Sequence, residues 1–222
     1  VLSVYGGPGS QGVYNSWEAN PFSQFLAHQG YVVANVNNRG NGGYGDAFEK
    51  CVYEQLGKYE SQDFVETAEY LATTHSWVDG ARMAIYGHSY GGYTSAFTML
   101  THPSVFKAAI VAAPVTDHLF YDCILTERSM GLKENNAEGY KQSSVITHAG
   151  NLEGKLLLAH SLMDENVHPQ NTFQLVQAFN MAGKDFDLKI YPPGAHGIAT
   201  DLTTYMLLNG QYFKFLESNL KK

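Results

Sequence analysis

Residues 84–92 read Ala84-Ile85-Tyr86-Gly87-His88-Ser89-Tyr90-Gly91-Gly92, a Gly-x-Ser-x-Gly turn between an apolar run and a stretch of helical apolar spacing. Such a turn is so tight that side chains other than glycine would clash beside the serine. It strains the serine backbone and lifts the hydroxyl above the end of the strand. The start of the following helix then lies under Ser89, and the Tyr90 amide is free to face a developing oxyanion. A serine hydroxyl is a weak nucleophile at neutral pH, so this chemistry needs a base and an acid that orients it. In chain order those partners should follow the serine as Asp or Glu, then His. Asp164 falls just past the apolar run Lys155–His160, and His196 lies in Tyr191-Pro192-Pro193-Gly194-Ala195-His196-Gly197, a turn-rich loop after the run Phe186–Ile190. Ser89, Asp164 and His196 are therefore the candidate nucleophile, acid and base. Glu165 stays open as an alternative acid. Asp185 and Asp187 open a strand, at the wrong edge. His160 within a strand and His168 beside Pro169 read as structural, and His88 is expected to point away from the nucleophile and to pack or hydrogen-bond nearby.

The elements that must hold these residues follow from periodicity. Short apolar runs at Leu2–Tyr5, Tyr31–Val36, Met83–Tyr86, Ala108–Ala112, Lys155–His160 and Phe186–Ile190 read as strands covered on both faces. Between them, Phe64, Val65, Ala68, Leu71 and Ala72 form one stripe of a helix from Gln62 to His75. Segments Tyr90–Leu100, Gln170–Met181 and Leu202–Leu220 behave alike. Alternation of this kind predicts an α/β fold with a mostly parallel sheet and helices on both faces, its reactive groups at the carboxyl ends of the strands. Glycine-rich segments follow the early strands, but neither common nucleotide fingerprint is present. No metal-ligand spacing includes Cys51 or Cys123, so no cofactor or metal is called for, and a disulfide between them is neither required nor excluded.

The chain has 222 residues, 44% hydrophobic and 16% charged, with a formal charge of −7. That is enough for one large domain over residues 1–222 and too little charge for a disordered chain. The negative balance argues against a nucleic-acid or anionic-membrane partner. No apolar run has the length of a membrane-spanning segment. Val1-Leu2-Ser3-Val4-Tyr5 begins as a strand with no lead-in, the expectation for a piece of a longer polypeptide whose targeting signals lie outside it. The compartment is left open.

Several ordered motifs resemble the catalytic domain of the prolyl oligopeptidase family of serine peptidases, most closely its dipeptidyl peptidase IV branch. They are Tyr5-Gly6-Gly7-Pro8-Gly9-Ser10-Gln11, Asn38-Arg39-Gly40-Asn41-Gly42, Gly87-His88-Ser89-Tyr90-Gly91-Gly92-Tyr93, Ala113-Pro114-Val115, Tyr121-Asp122, Thr126-Glu127-Arg128, Asp164-Glu165-Asn166-Val167-His168 and Gly194-Ala195-His196-Gly197. The resemblance implies an α/β-hydrolase fold truncated at its amino-terminal side, with the family's amino-terminal β-propeller absent from these residues. It implies a peptide substrate, a homodimer, and Ser89, Asp164 and His196 as the triad. It adds the Tyr5 hydroxyl to the Tyr90 amide as oxyanion donors, and assigns Val115, Tyr121, Tyr93, Asn166, Val167, Arg128 and Leu125 to substrate binding. Three positions depart from the family pattern: His118 and His88 each stand where tryptophan is usual, and Leu125 stands for a tyrosine that closes the proline pocket. These departures imply a preference broader than proline, extending to small or apolar residues. A carboxylesterase or lipase, an acylaminoacyl-peptidase-like hydrolase and a non-catalytic module of the same fold remain rival readings.

Overall fold

The apolar runs assemble as six strands, β1 (Leu2–Val4), β2 (Ala34–Asn35), β3 (Ala84–His88), β4 (Ala108–Ala112), β5 (Lys155–Ser161) and β6 (Asp187–Tyr191). They form one sheet in the order β2-β1-β3-β4-β5-β6, every neighbouring pair parallel. These coordinates come from a computed structural model that describes residues 1–17 and 20–221. Among the described residues, eight α-helices connect and cover the strands: α1 (Pro21–His28), α2 (Asp46–Lys50), α3 (Lys58–Thr74), α4 (Tyr90–Thr101), α5 (Cys123–Met130), α6 (Ala137–Ser143), α7 (Gln170–Met181) and α8 (Leu202–Leu220).

Alternation along the strands sends side chains to two separate cores. Ile85, Ala109, Val111, Leu156 and Leu158 pack with Phe64 of α3, Phe97 of α4 and Phe179 of α7. Ala84, Ala108, Ile110, Leu157 and Ala159 pack on the opposite face with Phe22 and Leu26 of α1 and Tyr212, Phe215 and Leu216 of α8. Each large apolar side chain buried in this way contributes about 1.5–3 kcal/mol, so the sheet is held from both sides, as the near-continuous apolar runs predict. The strand expected over Tyr31–Val36 shortens to two residues. Its sheet neighbour β1 has only three residues, of which Leu2 and Ser3 pair with Ala34 and Asn35.

Helices α7 and α8 have the predicted bounds. Helix α3 starts four residues earlier than its apolar stripe, at Lys58 rather than Gln62, because its first turn buries polar Glu60 and Ser61. Helices α1, α2, α5 and α6 are too short to declare an apolar period. The first is marked instead by Asn20, whose side chain accepts from the Ser23 amide, with Pro21 at its first position. Both cysteines are free thiols. Among the described residues no helix is long and apolar enough to cross a membrane.

The strand order fixes where a ligand can sit. From β1 the chain moves to β2 on one side and later to β3 on the other, so a crevice opens at the carboxyl ends of β1 and β3. Tyr5 follows β1 and Ser89 follows β3, one on each side of that crevice.

Candidate active site

Ser89 has φ 62° and ψ −122°, the left-handed region that a residue with a Cβ avoids. Packing imposes it. A Cβ on Gly87 would stand 2.1 Å from the Gly91 carbonyl oxygen, one on Gly91 2.3 Å from that of Val4, and one on Gly92 2.5 Å from that of Ala112. Main chain cannot be pushed aside as a flexible side chain can. The turn is pinned further by the Ser89 amide donating to the Ala112 carbonyl at 2.9 Å. Ala113 (φ 42°) and Ile198 (φ 65°) are also in the left-handed region, in the loops after β4 and β6.

The loops after β5 and β6 are tied together. Ser161 Oγ donates to the Ala195 carbonyl at 2.6 Å. The Met163 amide donates to the Gly194 carbonyl at 3.2 Å. This tether brings Asp164 to His196, whose Nδ1 lies 2.9 and 3.0 Å from the two carboxylate oxygens. A carboxylate only accepts, so Nδ1 carries the proton. Nε2 is then the acceptor of the Ser89 hydroxyl, at 2.8 Å. One directional line thus runs from hydroxyl to imidazole to carboxylate, the arrangement a serine nucleophile requires.

Asp164 is 3% exposed. Burial alone would raise its pKa, but the hydrogen bond from His196 and those from the Val167 and Asn166 amides, at 2.8 and 3.0 Å, outweigh it and hold the carboxyl below the usual value. Glu165, the alternative acid, is exposed and makes none of these contacts.

Two histidines outside the line hold it in place. His160 is fully buried; its Nε2 donates to Asp164 Oδ2 at 3.1 Å and to the Val167 carbonyl at 2.9 Å, while Nδ1 accepts from Thr172 Oγ1 at 2.7 Å. Burial lowers its pKa, keeping the ring neutral. His88 turns away from the nucleophile and donates from Nε2 to the His196 carbonyl at 2.7 Å, its ring 4.7 Å from that of His196. Its pKa too is lowered by burial. The structural reading of His160 from sequence understates it, since a strand residue pointing at the acid is visible only once the loop has folded back over β5.

Beside Ser89 lies a cavity of about 140 Å³ lined by Tyr5, Gly7, Pro8, Ser10, Ser89, Tyr90, Val115, Tyr121 and Leu125. Burial raises the pKa of the Tyr5 phenol, so it is a neutral donor in the cavity that Ser89 also lines. Val115, Tyr121 and Leu125 are brought together in its lining. Asn166 is exposed at the rim and accepts from the Tyr121 hydroxyl at 2.9 Å. Tyr93, Val167 and Arg128, also expected to bind substrate, are not in this lining. Tyr93 is fully buried beneath the elbow, its hydroxyl 3.0 Å from the Leu56 and Ser143 carbonyls, because the first turn of α4 aims it into the core. Val167 is buried, and its backbone braces Asp164 and His160. Arg128 is exposed on α5 and outside the cavity lining. His118 is buried against Tyr93, 4.8 Å between rings, with neither nitrogen hydrogen-bonded, and burial pushes its pKa down to about 4.

Comparison with known proteins bears on the family. The sequence profile described as "Prolyl oligopeptidase family" matches residues 17–222. Dipeptidyl peptidase 8 of Mus musculus and of Homo sapiens is 40% identical over 203 residues, 89% of this chain and 23% of the relative. Prolyl endopeptidase FAP of Homo sapiens is 36% identical over 216 residues, 96% of this chain and 28% of that protein. The chain therefore spans about a quarter of the length of these curated relatives. The crystal structure of Porphyromonas gingivalis dipeptidyl peptidase 4 is similar with a TM-score of 0.95 and 41% identity, over 99% of this chain and 31% of that one. The matched profile includes the loops that carry Ser89, Asp164 and His196, and the chain belongs to the prolyl oligopeptidase family.

Proposed function

We propose that this chain is the hydrolytic unit of a serine peptidase that cleaves short peptides by acyl transfer. The observation that carries the reading is the hydrogen-bonded line from Ser89 through His196 to Asp164 at the mouth of a small pocket. As Ser89 Oγ attacks the scissile carbonyl, His196 Nε2 takes its proton, and Asp164 balances the imidazolium that forms. The carbonyl oxygen becomes an anion faced by the Tyr5 hydroxyl and the Tyr90 amide. His196 gives its proton to the departing amine, the C–N bond breaks and an acyl ester remains on Ser89. Water then attacks that ester with His196 again as base, releasing the carboxylic acid and restoring the hydroxyl.

The residue on the carbonyl side of the cut would enter the cavity bounded by Val115, Tyr121 and Leu125. Its size supports proline or a small apolar residue, and Leu125 offers a softer wall than a tyrosine would. The names of the dipeptidyl peptidase relatives support removal of dipeptides as the cutting mode, whereas that of the prolyl endopeptidase supports internal cleavage.

The test is labelling with a fluorophosphonate and turnover of paired amide and ester substrates by the protein that carries this chain. Ser89→Ala should abolish both, a loss of about 10⁶-fold in kcat for a nucleophile of this kind. Labelling that survives the substitution would overturn the nucleophile assignment. Ester turnover with no amide turnover by the parent would instead assign a carboxylesterase.

A further inference from the structure

Two acidic side chains are buried among the described residues, and only Asp164 belongs to the hydrogen-bonded line. The other, Glu60, sits in the first turn of α3 and is 0% exposed. Its Oε1 accepts from the Tyr90 hydroxyl at 3.0 Å, and its Oε2 has no partner. Tyr90 is the residue after Ser89, so a buried carboxyl is attached from below to the side chain whose own amide faces the oxyanion site. Its neighbour Tyr93 has spent its hydroxyl on main-chain carbonyls. Glu60 is thus the acceptor on which the Tyr90 hydroxyl depends, and without it that buried donor would be left unsatisfied.

We propose that Glu60 is a positioning residue of the oxyanion site, its carboxyl holding Tyr90 so that the first turn of α4 presents the Tyr90 amide to the reacting carbonyl. This rests on the peptidase reading of Ser89. The hold depends on the charge of the carboxyl, because a hydrogen bond to an ionised acceptor is shorter and about twice as strong as one to a neutral acceptor. The groups that face Glu60 supply no compensating cation. They are Asp63 on its own helix, Tyr90 and Tyr93 on α4, and Cys51 from the segment after α2. Arg39 is committed to Asp63 at 2.6 and 2.8 Å. Burial consequently pushes the Glu60 carboxyl up to about 7, with Asp63 adding to the rise and the Gly57 and Glu60 amides and the Tyr90 hydroxyl opposing it. The carboxyl changes charge in the range where the protein would work, and its ionised form tightens the elbow.

The experiment follows the rate at which a fluorophosphonate phosphonylates Ser89, displacing fluoride, and the single-turnover acylation rate, kcat and KM for an amide substrate, across pH 5 to 9. The parent is compared with Glu60→Gln, Glu60→Leu and Tyr90→Phe. Glu60→Gln, which keeps volume and acceptor but cannot ionise, should remove one ionisation from the pH profile and retain more of the rate than Glu60→Leu. Tyr90→Phe and Glu60→Leu should each lower acylation about tenfold, the scale of one buried hydrogen bond, with KM unchanged and with the double variant no slower than either alone. A Glu60→Gln profile superimposed on the parent's, together with parental acylation by Tyr90→Phe, overturns the proposal. If Glu60→Leu fails to fold, these two near-isosteric variants decide the matter. Should Ser89→Ala remain labelled, the peptidase reading itself has failed; should it be inert while Glu60→Gln behaves as the parent, only the role of Glu60 has.

Discussion

Two walls of one crevice are built on different principles. The elbow wall, residues 87–92, is set by main chain against main chain, with Gly87, Gly91 and Gly92 each facing a carbonyl oxygen closer than a Cβ would tolerate. The pocket wall, from Val115 to Leu125, is set by side chains on short elements, a 3₁₀ turn at His118–Phe120 and the eight-residue α5, with Leu119 and Ile124 well exposed. Close-packed backbone has one arrangement and no slack, whereas side chains on short surface helices can be exchanged one at a time. On the proposed peptidase function, the rigid wall holds the chemistry and the replaceable one the selectivity.

The sharpest way to break that contrast is Gly91→Ala. Its new methyl would meet the Val4 carbonyl at 2.3 Å, with the Tyr5 Cα at 3.1 Å, so β1 and the elbow must part. We expect a destabilisation of about 3–5 kcal/mol by denaturant titration, the range of severe core disruptions, with all labelling of Ser89 lost. A stable, labelled variant would mean that the elbow has slack after all. Next comes Tyr5→Phe, which keeps the ring and removes the donor. Single-turnover acylation should slow by about 10²–10³-fold while the melting curve stays put. An unchanged rate would return Tyr5 to packing.

On the replaceable wall the effects should be smaller and selective. Leu125→Tyr narrows the pocket and should shift the ratio of kcat/KM for proline over larger apolar residues by about tenfold, the usual yield of one shape change in an apolar pocket. Labelling of Ser89 should be retained. Equal losses on every substrate would show that this wall, too, carries chemistry.

The mildest prediction concerns stability against pH, where two buried groups behind the walls oppose each other. Glu60 is raised from 4.5 to about 7, so the folded state binds its proton more tightly and stability falls as pH rises through that window. His118 is lowered from 6.5 to about 4, so the unfolded state binds its proton more tightly and stability falls as pH drops through that window. The slopes, each of order 1 kcal/mol per pH unit, partly cancel between pH 5 and 6.5. Chemical denaturation should show stability declining with pH across that interval in His118→Phe and increasing with pH in Glu60→Gln. Parallel curves for both variants would remove one of the two groups from the balance.

Much of this site is legible without coordinates. The Ser89 elbow declares itself because its steric demand is local, with glycine required where backbone closes on backbone. Strand ends pick out Asp164 over Asp185 and Asp187, since a parallel sheet gathers carboxyl ends on one rim. The surroundings of other residues are not legible there, for the opposite reason. Tyr93 shares an aromatic motif with the pocket residues, yet helical phase turns it into the core, and Val167 sits beside exposed Asn166 yet is buried, with its amide on Asp164.

By itself, then, the sequence determined the layered α/β architecture, the serine turn and the order of its partners, all of which follow from near-neighbour sterics and hydrophobic period. Only tertiary structure decided that His160 would brace Asp164, that His88 would hold the carbonyl of His196, and that Glu60 would lie beneath Tyr90. Such contacts depend on which loops the strand register lays side by side and on which polar groups are sealed from water there, and no short stretch of residue types encodes either.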